Sequence, residues 1–319
     1  MGHHDSTETL IFIHLMKTGG TSLFRLLKQH YYEEETFHYI PLQEGHKLQD
    51  LQHLPSDKQL SLKFIHGHAQ FGFHKHLVQP CQYITMVREP VSRVVSLYYF
   101  THHNPNRVVP ETEHCATLKE YLEKPLPRFD NAQTRAIAGP ISADFEVGEC
   151  TTELLNIAKE NLATFLIVGV TERFDESILV LNYLLQLNQI LYVRVNENRQ
   201  RPKLDDIDPD DLKTIKTYNQ LDIELYHYAN QLLDEKIRQV GDSFSREYQL
   251  FCQANRQFND LNIVLDQTKK QLDDAQQTVQ QIAAERDAIQ EALNRTLSAR
   301  AKRKLKQMWH YLFLSSFFR

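Results

Sequence analysis

The stretch IFIHLMKTGGTSL, residues 11–23, decides the fold. An apolar run stops at Lys17, Gly19 and Gly20 follow, and Thr21 and Ser22 open a helix-like segment. Strand, glycine turn and helix together gather the N–H groups of a turn and of a helix start at one point, where they favour negative charge. Glycines permit the tight turn and the close approach of a ligand. Thr18, Thr21 and Ser22 add hydroxyl donors, and Lys17 adds a point charge. In the common triphosphate loop, G-x-x-x-x-G-K-[ST], the lysine follows the glycines. Here it precedes them, so an ordinary nucleotide triphosphatase is not the first inference.

Outward from this loop, residues 10 to about 250 alternate short apolar runs with helix-period stretches, the pattern of β-α units around a largely parallel sheet. Strands are expected at Leu10–His14, Leu62–His66, Tyr83–Val87 and Phe165–Val170, and helices at Thr21–His30, Val91–Phe100, Thr152–Asn161 and Glu176–Gln186. A late helix is expected over Pro209–Val240, capped by Asp208 with Pro209 in its first turn.

A second informative stretch is YITMVREPVSRVVSLYYF, residues 83–100. Arg88 ends a buried-strand pattern, where open α/β sheets bind ligands. In the helix that follows, Ser92, Ser96 and Tyr99 share a face, with Arg93 beside it. Arg88 as a fork and Ser96 as a donor suit one phosphate. With the loop at Lys17 they imply a ligand carrying two separated anionic groups.

These residues resemble a known family. IFIHLMKTGGTS resembles the 5′-phosphosulfate loop of sulfotransferases that use 3′-phosphoadenosine 5′-phosphosulfate (PAPS), and REPVSRVVSLYY resembles their 3′-phosphate motif, R-x-P-x-x-R-x-x-S. The similarity is greatest to the carbohydrate branch that includes heparan sulfate 2-O-sulfotransferases. FIHGHAQF, DNAQTRAIAG and FLIVGVTERFDESILVL add to it, and it covers about residues 10–240. The resemblance implies a P-loop-like three-layer sandwich, with PAPS as co-substrate. The phosphosulfate would lie on Lys17, Thr18, Gly19, Gly20, Thr21 and Ser22, and the 3′-phosphate on Arg88 and Ser96. Lys17 would also act in catalysis, at the oxygens of the breaking S–O bond, where a fixed cation stabilises growing negative charge. No metal is required, because lysine and helix N–H groups do the neutralising.

The acceptor hydroxyl must lose a proton, and FIHGHAQFGFHKH holds four histidines: His66, His68, His74 and His76. His66 and His68, two apart at a strand end, point to one side. The resembling enzymes take their base from the second histidine of such an H-G-H stretch, which carries over to His68, with His66 supporting it or contacting substrate. A zinc site from these histidines is the rival, though no carboxylate or thiolate ligand stands nearby. His14 has no assigned role. In DNAQTRAIAG, Asn131, Gln133, Thr134 and Arg135 resemble a segment near the cleft; Gln133 and Arg135 are expected to bind substrate, and a polar helix start would look the same. Arg199 and Arg201 are further candidates for the 3′-phosphate or an acidic acceptor.

The 319 residues carry 41% apolar side chains and a formal charge of −5, which argues against general nucleic-acid binding. Four dispersed cysteines form no C-x-x-C pair and are expected to be reduced, with disulfides an alternative. From Phe258 to Leu297 there is neither glycine nor proline. There the apolar positions Phe258, Leu261, Leu265, Leu272, Ala275, Val279, Ile282, Ile289 and Leu293 follow a 3-4 spacing, with Thr268 and Arg286 on the same seam. This predicts a C-terminal coiled coil and a homo-oligomer, against the alternative of one long helix packed on the domain. The expected organisation is a sulfotransferase domain over 1–250, the coiled-coil helix over 256–299 and a tail over 300–319. In that tail, Arg300, Lys302, Arg303, Lys304 and Lys306 precede Trp309, Tyr311, Phe313, Phe317 and Phe318. Bases beside aromatics fit peripheral membrane contact, and equally a helix end that meets its own oligomer. No apolar segment precedes Leu10, so the expected location is the cytoplasm, with the tail at the inner membrane face. The expected activity is sulfuryl transfer to a hydroxyl, with a glycan as acceptor. An ATP-dependent kinase and a non-catalytic coiled-coil scaffold that retains nucleotide binding are the alternatives.

Overall fold

In a computed structural model, the structure describes residues 8–39, 48–102, 115–124, 126–193 and 203–315. The run TLIFI forms β1 (Thr9–Ile13), buried at all five positions. Burial on both faces is the mark of a central parallel strand. Around it lie β2 (Thr36–Tyr39), β3 (Phe64–Gly67), β4 (Cys81–Val87) and β5 (Ile167–Val170), all parallel, in the order β2-β3-β1-β4-β5. The register pairs Ile13 with Gly67 on one side and with Thr85 on the other. The loops after β3, β1 and β4 therefore emerge side by side.

The helices are α1 (Gly20–Lys28), α2 (Leu48–Gln52), α3 (Ser56–Ser61), α4 (Pro90–His102), α5 (Leu118–Leu122), α6 (Ala132–Ala138), α7 (Thr152–Ala163), α8 (Phe174–Leu185), α9 (Pro209–Tyr218), α10 (Gln220–Val240) and α11 (Phe244–Ser315). The four expected strands and the helices α1, α4, α7 and α8 lie within about two residues of their expected ends. Other features differ, among them the short helices α2, α3, α5 and α6. The short edge strand β2 was not anticipated. The helix expected over Pro209–Val240 breaks at Asn219, which leaves the helical basin (φ −125°, ψ 27°). Its buried amide donates to Phe129 O at 2.7 Å and Ile215 O at 2.8 Å, and Asn131 N–H takes the carbonyl of Tyr218. Asp208 does cap α9, accepting from Asp210 N–H at 2.8 Å.

One apolar core surrounds the sheet, from Ile11, Phe12 and Ile84 to Leu155, Ile178 and Leu225. A second joins Val94, Val95, Tyr121, Phe129 and Ile215 beside α4. The chain divides into two compact units, Met1–Phe258 and Asn259–Arg319. Helix α11 has 72 residues, about 108 Å at 1.5 Å per residue. It begins earlier and ends later than the expected 256–299, because no glycine or proline interrupts it. Along its seam Leu261, Leu265, Leu272, Val279, Ile282, Ile289 and Leu293 are exposed by 48–69%. Among the described residues, no helix is long and apolar enough to cross a membrane. Arg199, Arg201, Phe317 and Phe318 lie outside the described residues.

Candidate active site

The loop between β1 and α1 is held from several sides. Lys17 and Gly19 both have positive φ, 67° and 79°. Gly19 opens α1 without a side-chain cap, and the first turn of α1 carries no acid. Gly20 is dictated by a neighbour, since a Cβ there would meet the His14 ring at 2.1 Å. Thr18 is fully buried, and its hydroxyl donates to Leu15 O at 2.9 Å. The hydroxyl of Thr171, just after β5, lies 2.7 Å from Thr18 O and 2.9 Å from Val87 O, tying the loop to the ends of β4 and β5.

Arg88 meets the loop directly, donating from Nη1 to Lys17 O at 3.0 Å, with Glu172 at 3.8 Å from its Nε. Burial raises the Glu172 pKa, with Arg88 opposing. The Gln133 amide clasps the Arg88 backbone, accepting its N–H and donating to its carbonyl, both at 2.9 Å. Asp222 then accepts from Gln133 N–H at 3.1 Å and from Thr134 N–H at 2.7 Å. Glu89 caps α4, accepting from Val91 N–H at 3.0 Å and Ser92 N–H at 2.7 Å. Ser92 and Ser96 are half-buried on α4. One turn beyond Ser96, Phe100 places its ring 3.7 Å from the Lys17 ammonium. The two expected anion anchors thus come together.

On the other flank of β1, His68 follows β3. Its Nδ1 lies 2.7 Å from His14 O. A carbonyl only accepts, so Nδ1 carries the proton and Nε2 keeps its lone pair. Although His68 is exposed, crowding by the protein desolvates the ring and lowers its pKa from 6.5, against the opposing pull of this hydrogen bond. His14 stacks on Phe12 and tilts against His68 at 4.8 Å. Burial, with His68 and His38 nearby, lowers its pKa to about 3.

Several expected ligand contacts are corrected by this geometry. His66 is buried between Phe24 at 3.7 Å and His38 at 4.0 Å, and burial lowers its pKa to about 2. Its ring is enclosed in the packing beside the sheet, which leaves it little surface for substrate. Arg135 is buried and spends all five N–H donors on protein oxygens, those of Asp130, Ser142, Phe145 and Glu146. Gln133 is committed to Arg88, and the Thr18 hydroxyl to Leu15. The four histidines of FIHGHAQFGFHKH also part company. His74 holds the Tyr83 hydroxyl at 2.9 Å, and His76 lies 3.4 Å from Gln52. Thr171, Glu172 and Phe100 were missed. The first two sit where β5 ends, inside FLIVGVTERF, and Phe100 lies four residues after Ser96 on one helix face.

The structure thus sets a glycine loop at the end of a central parallel strand, with Arg88 on one flank and His68 on the other. The galactose-3-O-sulfotransferase family model matches residues 43–308, and the chain belongs to that family. The match includes Arg88 and Ser96 and begins after Lys17–Ser22. The chain is 24% identical to bovine galactose-3-O-sulfotransferase 3 over 73% of its length and 58% of the relative's. It is 22% identical to the Caenorhabditis elegans heparan sulfate 2-O-sulfotransferase hst-2, over 76% and 83%. Human heparan-sulfate 6-O-sulfotransferase 1 matches at 24%, over 72% and 66%. The chain spans 39% to 58% of the galactose-3-O-sulfotransferases it matches. The crystal structure of mouse sulfotransferase SULT7A1 complexed with PAP is similar over 70% of this chain and 68% of that one, at 13% identity and a TM-score of 0.34, too distant a likeness to bear weight.

The expected cytoplasmic location is corrected by these relatives. They are galactose-3-O- and heparan sulfate sulfotransferases, and nothing in them supports a cytoplasmic location. An apolar stretch missing before Leu10 is no evidence of where a protein resides.

Proposed function

We propose that this chain moves a sulfuryl group from PAPS to a hydroxyl of a glycan, on a P-loop-like three-layer sandwich. The observation that carries this is the pairing of the Lys17 loop with a histidine whose tautomer is set, His68 on His14 O at 2.7 Å. The donor set fits a phosphosulfate: one ammonium, the hydroxyls of Thr21 and Ser22, and a helix start free of acid. Arg88 and Ser96 receive the 3′-phosphate. His68 Nε2 takes the acceptor's proton as that oxygen bonds to sulfur. Lys17 stabilises the charge left on the phosphate oxygen as the S–O bond breaks. Positioning and charge stabilisation then supply most of the rate, as in phosphoryl transfer. A glycan acceptor is supported by the relatives' names, galactose and heparan sulfate among them. We further assign the exposed α11 seam to a parallel coiled coil with a second copy of this chain.

Calorimetry with 3′,5′-ADP and radiolabelled sulfate transfer to a glycan panel test the activity. Arg88→Ala is expected to lose nucleotide binding, and His68→Ala to lose transfer while binding persists. A preference for ATP with Mg²⁺ dependence would sink the proposal.

A further inference from the structure

Lys17 is fixed at both ends. Its backbone sits at a φ of 67°, uncommon for a residue with a side chain, and Arg88 Nη1 holds its carbonyl at 3.0 Å. Its ammonium lies 3.7 Å from the centroid of the Phe100 ring. A cation that close to a ring centroid is attracted by the negative face of the π-system, more strongly where water is partly excluded. Phe100 lies on the same helix face as Ser92 and Ser96, at i, i+4 and i+8. The ring therefore belongs to the same surface as the 3′-phosphate anchor, although nothing in the R-x-P-x-x-R-x-x-S pattern reaches it.

We infer that Phe100 is a positioning residue for Lys17. Its ring face seats one side of the ammonium and fixes where that charge stands, at the place where the sulfuryl group is released. A lysine side chain otherwise has many rotamers to lose at the moment of reaction, and a charge pre-set where negative charge develops lowers the barrier without that cost. The inference rests on the sulfotransferase proposal and adds a residue to it. The ring acts on the step in which the S–O bond breaks. 3′,5′-ADP keeps the 5′-phosphate but lacks that bond, so its binding reports the Lys17 contact without the step that breaks it.

Two measurements test this. The first is NMR of the full chain with isotope-labelled lysine. The Lys17 ε-methylene protons are expected upfield from the ring current, and that shift is lost in Phe100→Leu. The second is steady-state sulfate transfer. Phe100→Leu is expected to lower kcat by about 3- to 30-fold, with the Tm unchanged and the Kd for 3′,5′-ADP raised by a smaller factor than kcat falls, while Phe100→Tyr retains kcat. Progressive fluorination of Phe100, which drains the ring face at nearly constant shape, is expected to lower kcat in steps. An unchanged or faster kcat in Phe100→Leu, or equal kcat across the fluorinated set, overturns the role of Phe100 alone. A wild type that neither binds 3′,5′-ADP nor transfers sulfate overturns the sulfotransferase proposal, and the role of Phe100 falls with it.

Discussion

At the residue scale, His68 carries the clearest consequence. As a base it works unprotonated, and crowding by the protein lowers its pKa from 6.5. A lowered pKa keeps the ring neutral to lower pH, so the acidic limb of kcat/KM is expected to have its midpoint below pH 6.5. A pH-rate profile checks this, and a midpoint above 6.5 contradicts it. The placement of His68, Lys17 and Arg88 at neighbouring strand ends was legible because it lies in local order: a loop, a strand end, an H-G-H turn. Arg135 and His66 were misjudged because their meaning lies in what surrounds them. An arginine in DNAQTRAIAG looks like a hand held out to an anion until Asp130 and three carbonyls are seen to occupy it.

At the element scale, the end of β4 is held by α6 and α10 through side chains. Gln133 on α6 grips the Arg88 backbone, and Asp222 on α10 grips the first turn of α6. Gln133→Leu keeps the volume and strands both backbone groups of Arg88. Each orphaned group costs about 1–3 kcal/mol where it is buried. The expected result is a lower Tm with weaker 3′,5′-ADP binding. Thermal denaturation and calorimetry check this, and an unchanged affinity would free Gln133 from the site. Apolar runs and helix periods placed the strands and the main helices, since those signals are local. The break at Asn219 was hidden because its partner, the carbonyl of Phe129, comes from 90 residues earlier in the chain.

At the scale of the whole molecule, the exposed seam of α11 sets the expected assembly. Leu272→Asp combined with Ile282→Asp places charges on two seam positions that are 57% and 60% exposed in the single chain. Sedimentation equilibrium of the full chain is expected to shift from dimer to monomer, with sulfate transfer retained. A wild type that sediments as a monomer at all concentrations removes the seam's assignment. The strand order has a different consequence. β3, β1 and β4 are neighbours, about 4.8 Å apart, so His68, the Lys17 loop and Arg88 stand in a row. Under the proposed function the nucleotide occupies the β4 flank and the acceptor the β3 flank. One flank is therefore a constant part serving a single donor, and the other an interchangeable part. Such a chassis acquires new acceptors by substitution on the β3 flank while the nucleotide half stays untouched.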